Sequence, residues 1–498
     1  MIYVIGSGPS GVSIAMSLLQ QGLEVTILDV GLTIEKNKQK SVPNKLKRKL
    51  SYGSLFPYKE EGIKEFSASY AKGGLSNVWG AAISPYREED IKDWPINIKN
   101  LNSSYKKVQS IMSIAGHTKS PKNYCKLFRT NLLKIKPSKE ALAIYSFIDK
   151  NSNSLNNEIN IDFSRLAFSI PQNSNTLCNL CGKCLEGCPD ELIYNSASTL
   201  KLLKKYQKFN YLDNIEVLSL SESKNEVNIY SRDLKSQTTR KFRGDRVYLA
   251  SGVLSTAKII LSSFEKKAIS IPIKSSQYFI FPGLITEKLI KKNFEDNHAM
   301  SQLFLKVNSS SLIGSPAHLQ MYTKSEFLFE NFKLRINFIP DFLFNFFKKY
   351  FNQVLIFQGY LHSNEVSPRY LNYNIDSETN KSSISISNSK YDYTTKKIVR
   401  KILFKLYKNK SKIGFLTIPF LYSIGNFGYG FHVGGTFPMA KTPKGSQSDI
   451  FGRPYNKKRI HIVDASIFPS IPASTITYSV MANSFRIGES YNDYSHDK

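Results

Sequence analysis

Cysteine is scarce, with five in 498 residues. That is too few to staple a chain of this length, so a disulfide framework is excluded. Long hydrophobic runs are missing as well. No apolar stretch approaches the roughly 18–20 residues of a spanning helix. A secretory leader is not expected, because an apolar strand begins at Ile2 and leaves no room for a basic segment followed by an apolar one. A cytoplasmic protein is therefore expected, with peripheral contact to a membrane left open. Internal repeats and low-complexity tracts are absent. With 41% hydrophobic and 21% charged residues, disordered and collagen-like classes drop out.

Acidic residues are also in short supply. Asp+Glu number 39 against 68 Lys+Arg, a formal net charge of +29. Such a balance points to nucleic acid, an anionic membrane surface or an acidic substrate. No RNP, KH or helix-turn-helix pattern accompanies it, so nucleic acid is not expected as a partner. The abundance of Lys, Asn, Ile, Tyr and Phe is also what an AT-rich genome imposes without functional demand. The densest basic stretches are 36–49 and 396–412, and the segment 338–350 is aromatic and ends in lysines. These could dock on an anionic leaflet, or be solvated surface and packed interior. The 396–412 stretch carries Ile398, Ile402 and Leu406 at helical spacing, which predicts an amphipathic helix.

What is present is concentrated in short motifs. Residues 2–5 read as a buried strand, residues 11–21 as a helix, and 23–29 as a second strand. Between the first two lies Gly6-Ser-Gly8-Pro-Ser-Gly11. Gly6 permits the tight turn, Gly8 lets backbone approach a pyrophosphate, and Gly11 lets helix and strand pack closely. The helix N-terminus offers unpaired N–H groups to phosphate. Asp29 ends the second strand, where a carboxylate can accept from ribose hydroxyls. Strand, helix, spacing and acid together predict a dinucleotide site. Its place at residue 6, with a long chain following, favours FAD over NAD.

Three further segments narrow the reading. They are Ala71-Lys-Gly73-Gly74-Leu-Ser76-Asn77-Val78-Trp79-Gly80, then Tyr248-Leu-Ala-Ser251-Gly252, then His432-Val-Gly434-Gly435-Thr436 followed by Ile462-Val-Asp464-Ala465-Ser466. With the N-terminus, this series resembles the glucose–methanol–choline (GMC) oxidoreductases, and within them the branch of pyranose oxidases and sugar or long-chain alcohol dehydrogenases. The resemblance implies an α/β fold. A discontinuous Rossmann-like FAD-binding domain of the p-hydroxybenzoate-hydroxylase/GMC type would span 1–270 and 426–498, with a Cys-rich insertion at 176–190. An α+β substrate domain on a mostly antiparallel sheet would span 271–425, where aromatic and β-branched runs alternate with polar ones.

The implied chemistry is hydride transfer from the CH–OH group of an alcohol or sugar to flavin N5, with the electron acceptor unnamed. By resemblance, Gly73, Gly74 and Ser76 lie along the flavin and pyrophosphate. Trp79 and Gly80 lie near the isoalloxazine, Asp464 and Ala465 at the ribityl or pyrophosphate portion, and Val217 at the adenine. His432 takes the substrate hydroxyl proton. Imidazole is the side chain whose unperturbed pKa lies near neutrality, as such a base requires.

Two departures from the family pattern matter. The second active-site position, usually His or Asn, falls at Thr475 when counted without gaps, or at Ser474 or Thr477 with a small register shift. Threonine can orient a substrate but is no base near neutrality. A flavoprotein isomerase, lyase or reductase is therefore a rival reading, and a membrane-docked flavin-fold protein without turnover is another. Val78 stands where some relatives carry a histidine joined to the flavin, so FAD is expected to be non-covalent.

The run Cys178-x-x-Cys181-x-x-Cys184-x-x-x-Cys188-Pro189 has ferredoxin spacing. A single [4Fe–4S] cluster would take its fourth ligand from Cys188 or from Cys125. A zinc site and metal-free thiols are the alternatives. A cluster would split the electron pair of the flavin into single steps and favour a dehydrogenase over an oxidase.

Overall fold

The structure is a computed structural model describing residues 1–33, 68–117, 132–156, 158–169, 178–184, 188–264, 267–286, 298–308, 315–323, 353–375, 382–387 and 393–495. The basic stretch 36–49, Cys125 and the aromatic segment 338–350 lie outside these residues.

The first strand, Ile2–Ile5, is flanked by Val25–Leu28 on one side and Arg246–Leu249 on the other, both parallel to it. Ile460–Ile462 and Phe209–Leu212 complete a five-stranded parallel sheet among the described residues. All four residues of Ile2–Ile5, Val25–Leu28 and Arg246–Leu249 are buried, as expected for strands covered on both faces. The sheet thus draws on the beginning, middle and end of the chain. Helix Pro9–Gln20 covers it and packs on helix Thr477–Glu489. Small residues allow that close crossing. Ser13 and Ser17 donate to the carbonyls of Met481 and Phe485, and Ser484 donates to that of Ser10.

A second sheet runs Phe415–Thr417, Gln277–Ile285, Val354–Leu361, Ala317–Thr323, Leu303–Val307 and Ile159–Phe163, antiparallel throughout. Its edge strand Ile159–Phe163 comes from the sequence range expected for the nucleotide-binding domain, as does helix Lys139–Lys150, which packs against this sheet.

Alternation gives the sheet two unlike faces. One carries Phe279, Phe281, Leu303, Leu305, Leu319, Met321, Leu355 and Phe357 against the two helices that cover it. The chief cover is helix Tyr393–Lys408, whose Ile398, Val399, Ile402, Leu403 and Leu406 are all buried. The amphipathic helix expected from 396–412 therefore exists, and its apolar stripe is taken up by the sheet rather than offered to a lipid surface. No helix among the described residues is long and apolar enough to cross a membrane. The other face of the sheet carries His318, Gln320, Tyr322, Gln358, Tyr360 and Tyr278 together with Ile280, Val354 and Ile356.

Candidate active site

Two of the three fingerprint glycines sit against backbone, and the third faces open space. A Cβ on Gly6 would come within 2.8 Å of the Ala250 carbonyl oxygen, and one on Gly11 within 2.0 Å of that of Gly6. A Cβ on Gly8 would meet nothing within 4 Å. Gly8 is the N-cap of its helix, Pro9 follows, and no side chain caps the end. An uncapped helix N-terminus beside open space fits a pyrophosphate.

The glycine-rich stretch is held against this turn. The backbone N–H of Gly73 donates to Ser7 Oγ at 2.9 Å, and the space beside Gly74 opens onto Gly8, whose Cα would lie 3.4 Å from an added Cβ. Gly73 and Gly74 both take positive φ, at 86° and 57°, which glycine adopts without steric cost. Ser76 donates to the Gly73 carbonyl and accepts from Ser196 N–H. Trp79 donates to the Tyr194 carbonyl at 2.8 Å. Gly80 faces the Tyr322 hydroxyl, 3.7 Å from where its Cβ would be.

Asp29 is buried and accepts from Ser7 and from Tyr211, the latter at 2.9 Å. Burial raises its carboxyl to about 6, against the lowering influence of Ser7, Tyr211 and Lys72. Val217 lies in the strand Ile215–Glu222, paired with Ser231. That strand begins with Ile215 N–H bonded to the Asp29 carbonyl, so Val217 is tied to the same end of the site. The Asp464 carboxylate accepts from Gly252 N–H, Thr256 Oγ1 and Ser466 N–H. It locks the turn after Arg246–Leu249, and Ala465 holds Gly435 through its carbonyl.

His432 stands at the seam between the two sheets. Its backbone carbonyl accepts from Ser276 N–H, and its ring stacks on Tyr360 with centroids 4.6 Å apart and planes inclined by 22°. Nδ1 is sealed from water and bonded to no described residue. Burial lowers the imidazole pKa to about 4, so the ring is neutral at pH 7. His318, directly across from Tyr360 in the sheet, is pushed down to about 3 by burial, with Arg87 and His432 adding to the effect. Thr475 Oγ1 accepts from Ser84 N–H at 2.8 Å. It ties the segment after Gly80 to the C-terminal helix and makes no bond to His432 Nδ1.

Cys178, Cys181, Cys184 and Cys188 are free thiols, and only Cys181 is exposed. Burial pushes Cys184 up to about 11 and raises Cys178, and the other thiols of the run add to both shifts. The four thiols therefore share one electrostatic neighbourhood. Among the described residues, no three His, Cys, Asp or Glu side chains form a set that could hold a metal ion. The expected cluster thus gains no support, and Cys125 lies outside the described residues.

Several residues of the site escape a motif reading. Ser7 and Tyr211, which hold Asp29, occupy variable positions of the motif and of a short strand. Gln358 and Tyr360 share one parity in the run 354–362, a signal readable in principle as one sheet face. Gln320 and Tyr322 become their neighbours only through strand pairing.

Residues 421–484 match the family model of the GMC oxidoreductases, described as GMC oxidoreductase. That stretch contains His432, Asp464 and Thr475, so the resemblance read from the sequence is borne out there. Among solved structures, the fold is similar to pyridoxine 4-oxidase from Mesorbium loti, with 12% identity, 99% of each chain covered and a TM-score of 0.59. No curated protein matches the sequence.

Proposed function

We propose that this protein is an FAD-dependent oxidoreductase acting on the CH–OH group of a sugar, polyol or other alcohol, with His432 as the general base. When bound, FAD would supply a hydride acceptor at flavin N5. Gly8, Gly74 and the uncapped helix end would hold its pyrophosphate and Asp29 its ribose. Val78 leaves the cofactor without a covalent tether.

The observation that carries the reading is the state of His432. A base must be unprotonated where it works and must have a nitrogen to offer. Burial keeps this ring neutral at pH 7. Tyr360 stacks on it and fixes its plane, and the segment that follows His432 meets the Asp464 turn through Gly435 N–H and the Ala465 carbonyl. Thr475, engaged by Ser84 N–H, retains a hydroxyl proton that can be donated to substrate oxygen. A proton leaving the substrate hydroxyl would pass to His432, and proton removal by such a group is worth about 10²–10⁴-fold in rate.

Anaerobic mixing with alcohols tests this. The native protein should lose flavin absorbance with a suitable alcohol, and His432→Ala should bleach about 100-fold or more slowly while keeping its FAD. Equal rates in the two would remove His432 from the chemistry.

A further inference from the structure

We infer that Gln320, Gln358 and Tyr322 form a hydrogen-bonding platform for the substrate hydroxyls that do not react, so that the site selects a polyhydroxylated alcohol over an aliphatic one. This rests on the alcohol-oxidation reading above and names its substrate class.

The platform follows from strand pairing. Gln320 and Gln358 are directly opposed on neighbouring strands, so both side chains emerge on one face. The Tyr322 hydroxyl lies 2.9 Å from Gln320 Oε1 and 3.4 Å from Gln358 Oε1. The phenol carries one proton, so it donates to one Oε1 at a time, and the nearer is that of Gln320. The far ends, the two Nε2 groups, are bonded to no described residue. Gln320 is only 4% exposed, yet its Nε2 is not sealed from solvent, so that end is open to a ligand hydroxyl. The opposite face of the same strands carries Leu319, Met321, Leu355 and Phe357, with Thr323 at its end. An apolar pair at 320 and 358 would fit a greasy substrate better.

Position supports the same occupant. Tyr360, two residues beyond Gln358, points to the same face and stacks on His432. Two residues along a strand span about 7 Å, on the order of one sugar ring. A ring lying against Tyr360 with one carbinol at His432 would place its remote hydroxyls at the amides. Tyr278, opposite Tyr360 in the sheet and 5.5 Å from it ring to ring, extends the aromatic floor. Tyr322 also reaches toward Gly80, which sets the platform beside the nucleotide cradle.

The test uses FAD-loaded protein carrying His432→Ala, which should bind substrate without turnover, titrated calorimetrically with D-glucose, D-xylose, D-sorbitol and 1-hexanol. At least one polyol should bind saturably, and hexanol should not. Adding Gln320→Leu or Gln358→Leu should weaken polyol binding about 10- to 100-fold with the flavin content per protein unchanged. Tyr322→Phe, which preserves shape, should weaken it less. On the native background the amide variants should raise KM far more than they lower kcat. Unchanged affinity in the amide variants overturns the platform, as does saturable binding of hexanol alone. Loss of FAD from the amide variants also overturns it, by assigning the amides to the cofactor. If hexanol bleaches the native flavin and no polyol does, alcohol oxidation stands and the platform falls. If none of them bleaches it, the alcohol-oxidation reading itself fails and the platform falls with it.

Discussion

At the scale of single residues, Gly8 and Gly11 look alike in sequence and differ in what they face. A side chain at Gly11 would collide with backbone 2.0 Å away, whereas one at Gly8 would enter open space, and its φ of −65° suits any residue. Gly8→Val should therefore fold with a melting temperature close to native and purify without FAD. Gly11→Val should purify poorly or melt much lower. Absorbance at 450 nm per protein, read beside a thermal melt, separates the two. A Gly8→Val protein that retains full flavin would show that the phosphates do not lie at this turn.

At the scale of elements, the basic helix Tyr393–Lys408 shows how one pattern can serve two ends. Its lysines and its apolar stripe are as compatible with a membrane surface as with a core. The antiparallel sheet settles the stripe: Ile402 and Leu406 are fully buried in it. Ile402→Ala should cost about 2–4 kcal/mol through the cavity it leaves, whereas Lys397→Ser on the exposed side should change stability by no more than about 0.5 kcal/mol. Denaturant unfolding followed by circular dichroism measures both. Equal, small effects would mean that the stripe is not packed.

At the scale of the whole molecule, burial of imidazole governs the response to acid. His298, His318, His362, His432 and His461 all have pKa values lowered by burial. Below about pH 6.5 the unfolded chain takes up protons at these positions that the folded chain refuses. Stability is thus retained above that pH and drains away as pH falls toward 4, by up to about 1.4 kcal/mol per pH unit for each group. Asp29 and Asp464 act in the opposite sense, since burial raises both and acid relieves the cost of their charge. Five groups against two leave a net loss. The melting temperature should fall steadily between pH 7 and pH 5, and a flat or rising profile would contradict this balance.

The sequence by itself determined the glycine turn after the first strand and singled out His432 as the candidate base. Each depends on residues close together in the chain: a strand, a glycine turn and a helix end in one case, and a short glycine-flanked motif in the other. Local geometry dictates such features, so they are legible without knowing what lies across from them. The net charge of +29 looked like the leading clue and decided little, because the proposed pyrophosphate site relies on backbone N–H groups and a helix end rather than on lysines. Only the tertiary structure decided that Ile159–Phe163 joins the distant sheet, that the basic helix turns its apolar face inward, and that Gln320 meets Gln358 beneath Tyr322. Those are pairings between strands and helices far apart in sequence. Alternation along one strand says which residues share a face, but strand pairing and packing decide what that face meets.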